Sequence, residues 1–210
     1  QYLAHEGRVE MSTGHFLEAR ALFVEALRMA ETGMEEDRIF IRTDLAEAMR
    51  SLGDVAGARE LDHQCYDYYR IRDMPEAHIS ALNLAITYVM DSQFEEAQVL
   101  CRRAIAGMKR HNLTLYISVA YLLSLACAAG LRKYSDWQSY WPTARDEFHA
   151  HRIIERDIAW AAEEAGRLAR LAGWYEEARD AFQFALPIWE ALGDDEAQAR
   201  IKSLLAAETP

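Results

Sequence analysis

Few stretches of this chain alternate apolar and polar residues with a period of two, and runs of β-branched residues are scarce, so little or no sheet is expected. The apolar positions fall instead into segments parted by short breaks of Gly, Asp, Asn or Ser, which predicts paired helices. First helices of five pairs are expected near 1–13, 36–51, 74–90, 113–129 and 154–171, and second helices near 16–31, 55–70, 93–110, 134–150 and 175–191. Ser92 with Glu95 has the spacing of a capping box, Asp54 can cap a second helix, and Asp73 followed by Pro75 reads as a helix start. Residues 194–207 read as a last helix capped by Asp194, with Ala197, Ile201, Leu204 and Leu205 placed to cover the end of a stack. A bend or insertion is expected between Gly130 and Tyr134.

Laid over itself, the chain repeats. The stretch 14–19 (Gly-His-Phe-Leu-Glu-Ala) recurs at 53–58, at 92–97 and, in its clearest form, at 173–178, with a weaker version around Tyr134. Aligning its third residue gives Phe16, Val55, Phe94, Tyr134 and Tyr175, at spacings of 39, 39, 40 and 41. Ten residues further on, Ala26, Cys65, Ala104, Ala144 and Ala185 repeat the same four spacings. A turn residue ends one helix, an aromatic or branched side chain plugs the junction, and small residues at Ala19, Ala58, Ala97 and Ala178 let two helices approach. Gly7 and Gly166 sit mid-helix, seven residues before Gly14 and Gly173, and Ala46 and Ala85 fill that role in repeats two and three. Glycine there costs about 1 kcal/mol relative to alanine, so a closely packed neighbour is the expected offset. A hairpin of this kind cannot bury its apolar face alone, and stacking on the next one makes a continuous core.

On these residues the chain resembles the tetratricopeptide repeat (TPR) family over essentially its whole length. That family's pattern has a Gly-x-x-aromatic stretch in the first helix, then a small residue and an aromatic in the second, and Phe23, Trp141 and Phe182 match the second-helix aromatic. Three features depart from it: the period is longer than the usual 34, the closing proline is missing from its place, and Asp62 and Cys101 replace the aromatic. The resemblance implies an all-α, right-handed α-α superhelix of about five helical hairpins plus a C-terminal capping helix. The repeats would run over about 1–34, 35–72, 73–111, 112–152 and 153–192, with the cap at 194–207, all in one domain spanning 1–210. Because the chain starts inside a predicted helix without an initiator methionine, it is expected to be cut from a longer protein.

Composition narrows the function classes. With 23 basic and 34 acidic residues the net charge is −11, which repels phosphate backbones and anionic lipid, so neither nucleic acid nor membrane is an expected partner. No apolar run approaches the length of a membrane span. Three widely spaced cysteines, Cys65, Cys101 and Cys127, fit a reduced compartment, the cytoplasm, better than a disulfide framework.

Candidate chemistry is thin. His63/Cys65 and His149/His151 stand two apart, and residues two apart on a helix point in different directions, so no metal site is expected. The adjacent pairs Glu35/Glu36, Glu95/Glu96, Glu163/Glu164 and Glu176/Glu177 diverge in the same way and make no acid–base pair. Cys65 and Cys101 occupy repeat columns and read as small core residues. There is no phosphate loop, nucleophile elbow or dinucleotide fingerprint, so the expectation is no enzyme, no catalytic residues and no cofactor.

What remains is binding. The resemblance implies that first helices line a concave groove, and the repeat register places Arg8, Asp44, Glu47, Arg50, Asn83, Ile86, Tyr121, Arg167 and Arg170 there. Trp160 joins them as a candidate anchor, although all five tryptophans also read as core filling of the last two repeats. Asn83 holds the asparagine position of the family's carboxylate clamp, but no lysine stands beside it, so that clamp is not expected. An apolar centre (Leu82, Ile86, Val89 and Tyr121) flanked by arginines could seat a protein or peptide partner, and the alternative is that those arginines are ordinary solvated residues. The expected function is a scaffold or regulatory interaction module. The segment 185–194 resembles repeats attached to bacterial protein kinases and transcription regulators, which makes peptide sensing the alternative; self-association into a homodimer is the other.

Overall fold

The structure, a computed structural model, describes residues 2–207, so the predicted helical position of Gln1 lies outside the described residues. Every regular element among those residues is helical: α1 (Tyr2–Ser12), α2 (Phe16–Met29), α3 (Glu35–Ser51), α4 (Val55–Ile71), α5 (Ala77–Met90), α6 (Phe94–His111), α7 (Ile117–Gly130), α8 (Tyr134–His151), α9 (Arg156–Ala172), α10 (Tyr175–Leu192) and α11 (Asp195–Ala206). A single 3-10 turn, Thr114–Tyr116, leads into α7. The helices follow the predicted map within a few residues.

Helix ends obey one backbone rule. The residue two before each aligned turn position has positive φ: Gly14, Gly53, Ser92, Arg132 and Gly173. A second set closes four of the second helices, at Asp73, Asn112, Arg152 and Gly193. A left-handed residue just past a helix lets the chain turn back and satisfy the last carbonyls, a place where glycine is favoured. Measured between these positions, every second-helix segment from the second repeat onward spans 20 residues (53 to 73, 92 to 112, 132 to 152, 173 to 193). The first-helix segments span 19, 20 and 21 (73 to 92, 112 to 132, 152 to 173). The drift in period therefore lies wholly in the first-helix halves, taken up by the 3-10 turn before α7 and by the extended Glu155 before α9.

Two expected starts are corrected by the same rule. Ser92 and Asp73 are left-handed closing residues, so α6 begins after Gln93 without a side-chain cap, and α5 begins only after the Met74–Glu76 turn. Asp54 and Asp194 do cap, each accepting from the amide three residues on at 3.0 and 2.9 Å. The turn between Gly130 and Tyr134 carries no insertion; it is the same left-handed turn, centred on Arg132.

The chain divides into two compact units, residues 1–91 and 92–210. In the first, each of α1 to α4 packs on the next in sequence. In the second, α7 packs against α6, α8 and α9, and α10 packs against α9 and α11; accordingly α7 is buried from Ile117 to Ala129 except at Tyr121. Close approach within hairpins rests on glycine against phenylalanine. A Cβ on Gly7 would lie 2.6 Å from Phe23 Cε1, and one on Gly166 would lie 2.8 Å from Phe182 Cε1 and 3.1 Å from the Ala178 carbonyl oxygen.

Each unit also carries a buried polar tie across three helices. In the first, Arg50 on α3 donates to Asp62 on α4 at 2.7 Å, and the Thr87 hydroxyl on α5 donates to the same carboxylate oxygen at 3.1 Å. In the second, Glu163 on α9 accepts from Trp189 Nε1 on α10 at 3.0 Å and from the Arg200 fork on α11 at 2.5 and 3.0 Å.

Two outcomes follow for urea unfolding followed by circular dichroism. Gly166→Ala should destabilise the chain by about 1–3 kcal/mol through overpacking, against its helix propensity, and Phe182→Leu in the same chain should recover part of the loss. Arg132→Gly should stabilise by about 0.5–1 kcal/mol, because it relieves a left-handed residue that bears a Cβ.

Candidate functional site

The residues assigned to the groove divide between the units. In the first unit, Arg8 on α1 reaches across to α3 and donates from Nε to Asp44 Oδ2 at 2.7 Å. Burial pushes the Asp44 carboxyl above its ordinary range, and the guanidinium draws it part of the way back. One turn on from Asp44, Glu47 is half-buried and engaged in a contact of its own. Arg50 is 7% exposed and held by Asp62, and Ile86 is 3% exposed. Neither therefore offers surface to a partner; Leu82 and Val89, counted with Ile86 as an apolar centre, are buried too. Asn83 stays half-buried.

In the second unit, Tyr121 is the one α7 side chain between Ile117 and Ala129 with partial exposure. Its hydroxyl accepts from Lys109 Nζ at 3.0 Å, and its ring lies 6.1 Å from that of Tyr140. Trp160 and Arg167 stand two turns apart on α9, hence on one side of it. Arg167 forks onto Glu164 of its own helix at 2.7 and 2.6 Å, so a partner would have to compete with that exposed pair. Arg170 lines a cavity of about 410 Å³ with Leu171, Tyr175 and Ala207.

Two surface cavities were not read from the sequence. A cavity of about 640 Å³ lies between the start of α1, the end of α2 and the start of α3, and is floored by Leu3, Ala26, Ala30 and Ile41. Tyr2, Met29 and Phe40 stand on its rim at 74, 66 and 54% exposure. A second cleft, about 430 Å³, runs between α8 and α10 over Trp141, Phe148 and Phe184. The core reading of the tryptophans applies fully to Trp137 and Trp189, each 2% exposed. Trp141 is half-buried, stacked on Trp137 at 6.2 Å and edge-on to Phe184 at 5.8 Å.

All three cysteines are buried and free. Burial drives the Cys65 thiol up to about 11, and a hydrogen bond with Cys101 together with burial holds Cys127 well above the ordinary thiol range. A thiol kept protonated is a poor nucleophile and a poor ligand. His63 Nε2 is occupied with the Tyr88 hydroxyl at 3.0 Å and His15 Nδ1 with Glu10 at 2.8 Å. The described residues contain no group of three or more His, Cys, Asp or Glu able to hold a metal ion. None of their helices is long and apolar enough to cross a membrane.

A thiol titration with an aromatic disulfide reagent at pH 8 should accordingly find none of the three cysteines reactive within minutes in the native chain, and three after unfolding in urea. Fast reaction of any one in the native chain would contradict this burial.

Residues 79–112, covering α5 and α6, match the tetratricopeptide repeat family. No curated protein matches the chain. Among solved structures, a Rap protein complexed with competence and sporulation factor is similar at 16% identity and a TM-score of 0.75, over 99% of this chain and 64% of that one. The Rap conjugation gene regulator of the plasmid pLS20, in complex with the Phr* peptide, gives 16% identity and a TM-score of 0.76, over 97% of this chain and 56% of that one. The nearly identical TPR-like repeats of a kinesin light chain from Podosopora anserina give 16% and 0.64, over 92% of this chain and 96% of that one. The chain thus spans less than two thirds of either Rap protein. At this identity the likeness shows a shared fold.

Proposed function

We propose that this chain, a TPR-like helical-repeat protein, is a non-catalytic module that holds a protein or peptide partner against its first helices. The observation that carries the reading is the fold shared over nearly the whole chain with a Rap protein complexed with competence and sporulation factor and with a Rap regulator in complex with the Phr* peptide. The first helices support it by their chemistry. They present half-buried polar and aromatic groups (Glu47, Asn83, Tyr121, Trp160) together with Arg8, Arg167 and Arg170, the mixture that recognises peptide side chains and carboxylates. The drift of period within first-helix segments suits a face that varies with its ligand while the second helices keep a fixed frame. In this reading residues 1–210 form one repeat domain, with Arg50 and Ile86 acting through the fold rather than by contact. Its compartment is the cytoplasm, consistent with three free thiols.

The same Rap complexes favour one finer version, in which the ligand is a signalling peptide and the module is the sensing part of a bacterial regulator. The module then acts by favouring one of two conformations, which requires a difference in affinity between them. Affinity capture from the source cell's lysate tests the core proposal, with the Arg167→Glu/Arg170→Glu variant in parallel. A partner retained by the parent and reduced at least tenfold by the still-helical variant is the expected result. Equal retention by both would move binding off the α9 surface.

A further inference from the structure

We infer that the cavity between α1, α2 and α3 is a docking groove for a cationic amphipathic peptide segment, its apolar side chains entering between Tyr2, Met29 and Phe40. This rests on the peptide-binding reading and adds the chemistry of a ligand for the first unit.

The volume, about 640 Å³, lies within the roughly 300–1,000 Å³ of ligand clefts. Its floor is apolar, and three large apolar side chains on its rim are more than half exposed. Of the exposed large hydrophobics, Tyr2, Met29 and Phe40 line this cavity. Exposed apolar side chains gathered around one cavity mark interaction sites. The wall is also fixed in advance. Arg38 Nη1 donates to the carbonyls of Glu31 at 2.8 Å and Gly33 at 3.2 Å, which pins the turn between α2 and α3, so little ordering is left to oppose binding.

Charge decides the occupant. Residues 1–91 contain nine arginines, no lysine and seventeen carboxylates, a net charge of −8. Around the cavity the arginines are already engaged: Arg8 with Asp44, and Arg38 and Arg42 with Glu35. Asp37, which lines the cavity, has no ion pair among the described residues, and Glu31, exposed, follows the lining residue Ala30 in the chain. A second copy docking through this face would set two such acidic surfaces together, a like-charge contact that opposes association. A segment carrying lysine or arginine beside its apolar residues gains from the same field, both in affinity and in rate of encounter.

The test uses the whole chain and a fluorescein-labelled, helix-forming 14-residue peptide, with leucine or phenylalanine at i, i+3, i+4 and i+7 and lysine elsewhere, read by fluorescence anisotropy. Two control peptides replace lysine by glutamate or the apolar residues by serine. The expected result is binding of the first peptide only, weakened at least tenfold by Met29→Ser/Phe40→Ser and severalfold by Asp37→Lys. Both variants alter surface side chains, and circular dichroism checks that they remain folded. Binding that survives both variants, or that the serine control reproduces, would show general attraction to an acidic surface and overturn the inference. So would a concentration-dependent dimer in light scattering that Phe40→Ser abolishes, since the occupant would then be a second copy. Lack of binding by any of the three peptides overturns it too, while leaving the proposed function to stand or fall on the lysate capture at α9.

Discussion

In the first and last hairpins the close approach of the two helices rests on one pair of positions, nine residues before and seven residues after the aligned turn residue. The five pairs are Gly7 with Phe23, Ala46 with Asp62, Ala85 with Cys101, Leu125 with Trp141, and Gly166 with Phe182. Where the first member is glycine, a full phenyl ring lies against bare backbone, at a separation that would leave an added Cβ under 3 Å from the ring. Where it is alanine, the ring no longer fits, and a short side chain takes its place. Where it is leucine, fully buried at position 125, the aromatic partner Trp141 stays half-exposed, stacks on Trp137 and forms part of the α8–α10 cleft. One steric complementarity thus yields core in two hairpins and surface in another, as expected for interiors packed to crystal-like density.

The exchange of ring for carboxylate at Asp62 has a larger consequence. A carboxylate in a core position is costly unless paired and hydrogen-bonded, and Asp62 meets both conditions through Arg50 and Thr87. The partners lie on the preceding and following helices, so the pair links three helices in one arrangement. Glu163 does the same with Trp189 and Arg200 at the other end of the chain. Stacked hairpins share similar apolar faces and could slide past one another. A directional buried contact spanning three helices penalises every register but one, which accounts for polar side chains in cores that apolar residues could fill. Arg50, assigned to a ligand on grounds of register alone, is thereby committed to the fold.

Much of the fold was legible because a repeat reports each structural demand several times. Phe16, Val55, Phe94, Tyr134 and Tyr175 mark five turns whatever any one of them would signal alone, and Gly14, Gly53 and Gly173 announced the left-handed closing position. Ser92 and Asp73 were misread for a local reason: a serine or aspartate near a turn satisfies the chemistry of a helix start as readily as it occupies a left-handed end. The site was less legible. Register predicts which way a first-helix residue points, but its exposure depends on what packs over it, and at Ile86 and Arg50 that packing leaves almost nothing accessible. Tyr2, Met29 and Phe40 come from three different helices, and no spacing in the sequence announces that their side chains rim one cavity.

The two units, alike in their hairpins, differ in what they display. The first has no lysine or tryptophan and a net charge of −8; the second holds all three lysines and all five tryptophans at a net charge of −3. An acidic surface with exposed aliphatic and aromatic side chains recognises by charge and burial together, and its affinity falls as salt rises. A surface with half-buried Trp141, Trp160 and Tyr121 recognises by ring contact, which salt scarcely touches. Repeats built on a common steric rule leave exposed positions free to diverge, because each hairpin needs only its neighbours to stay folded. The differences in charge and aromatic content between the units therefore lie at positions the hairpin cores leave free, and under the proposed function binding is the demand that would act on them.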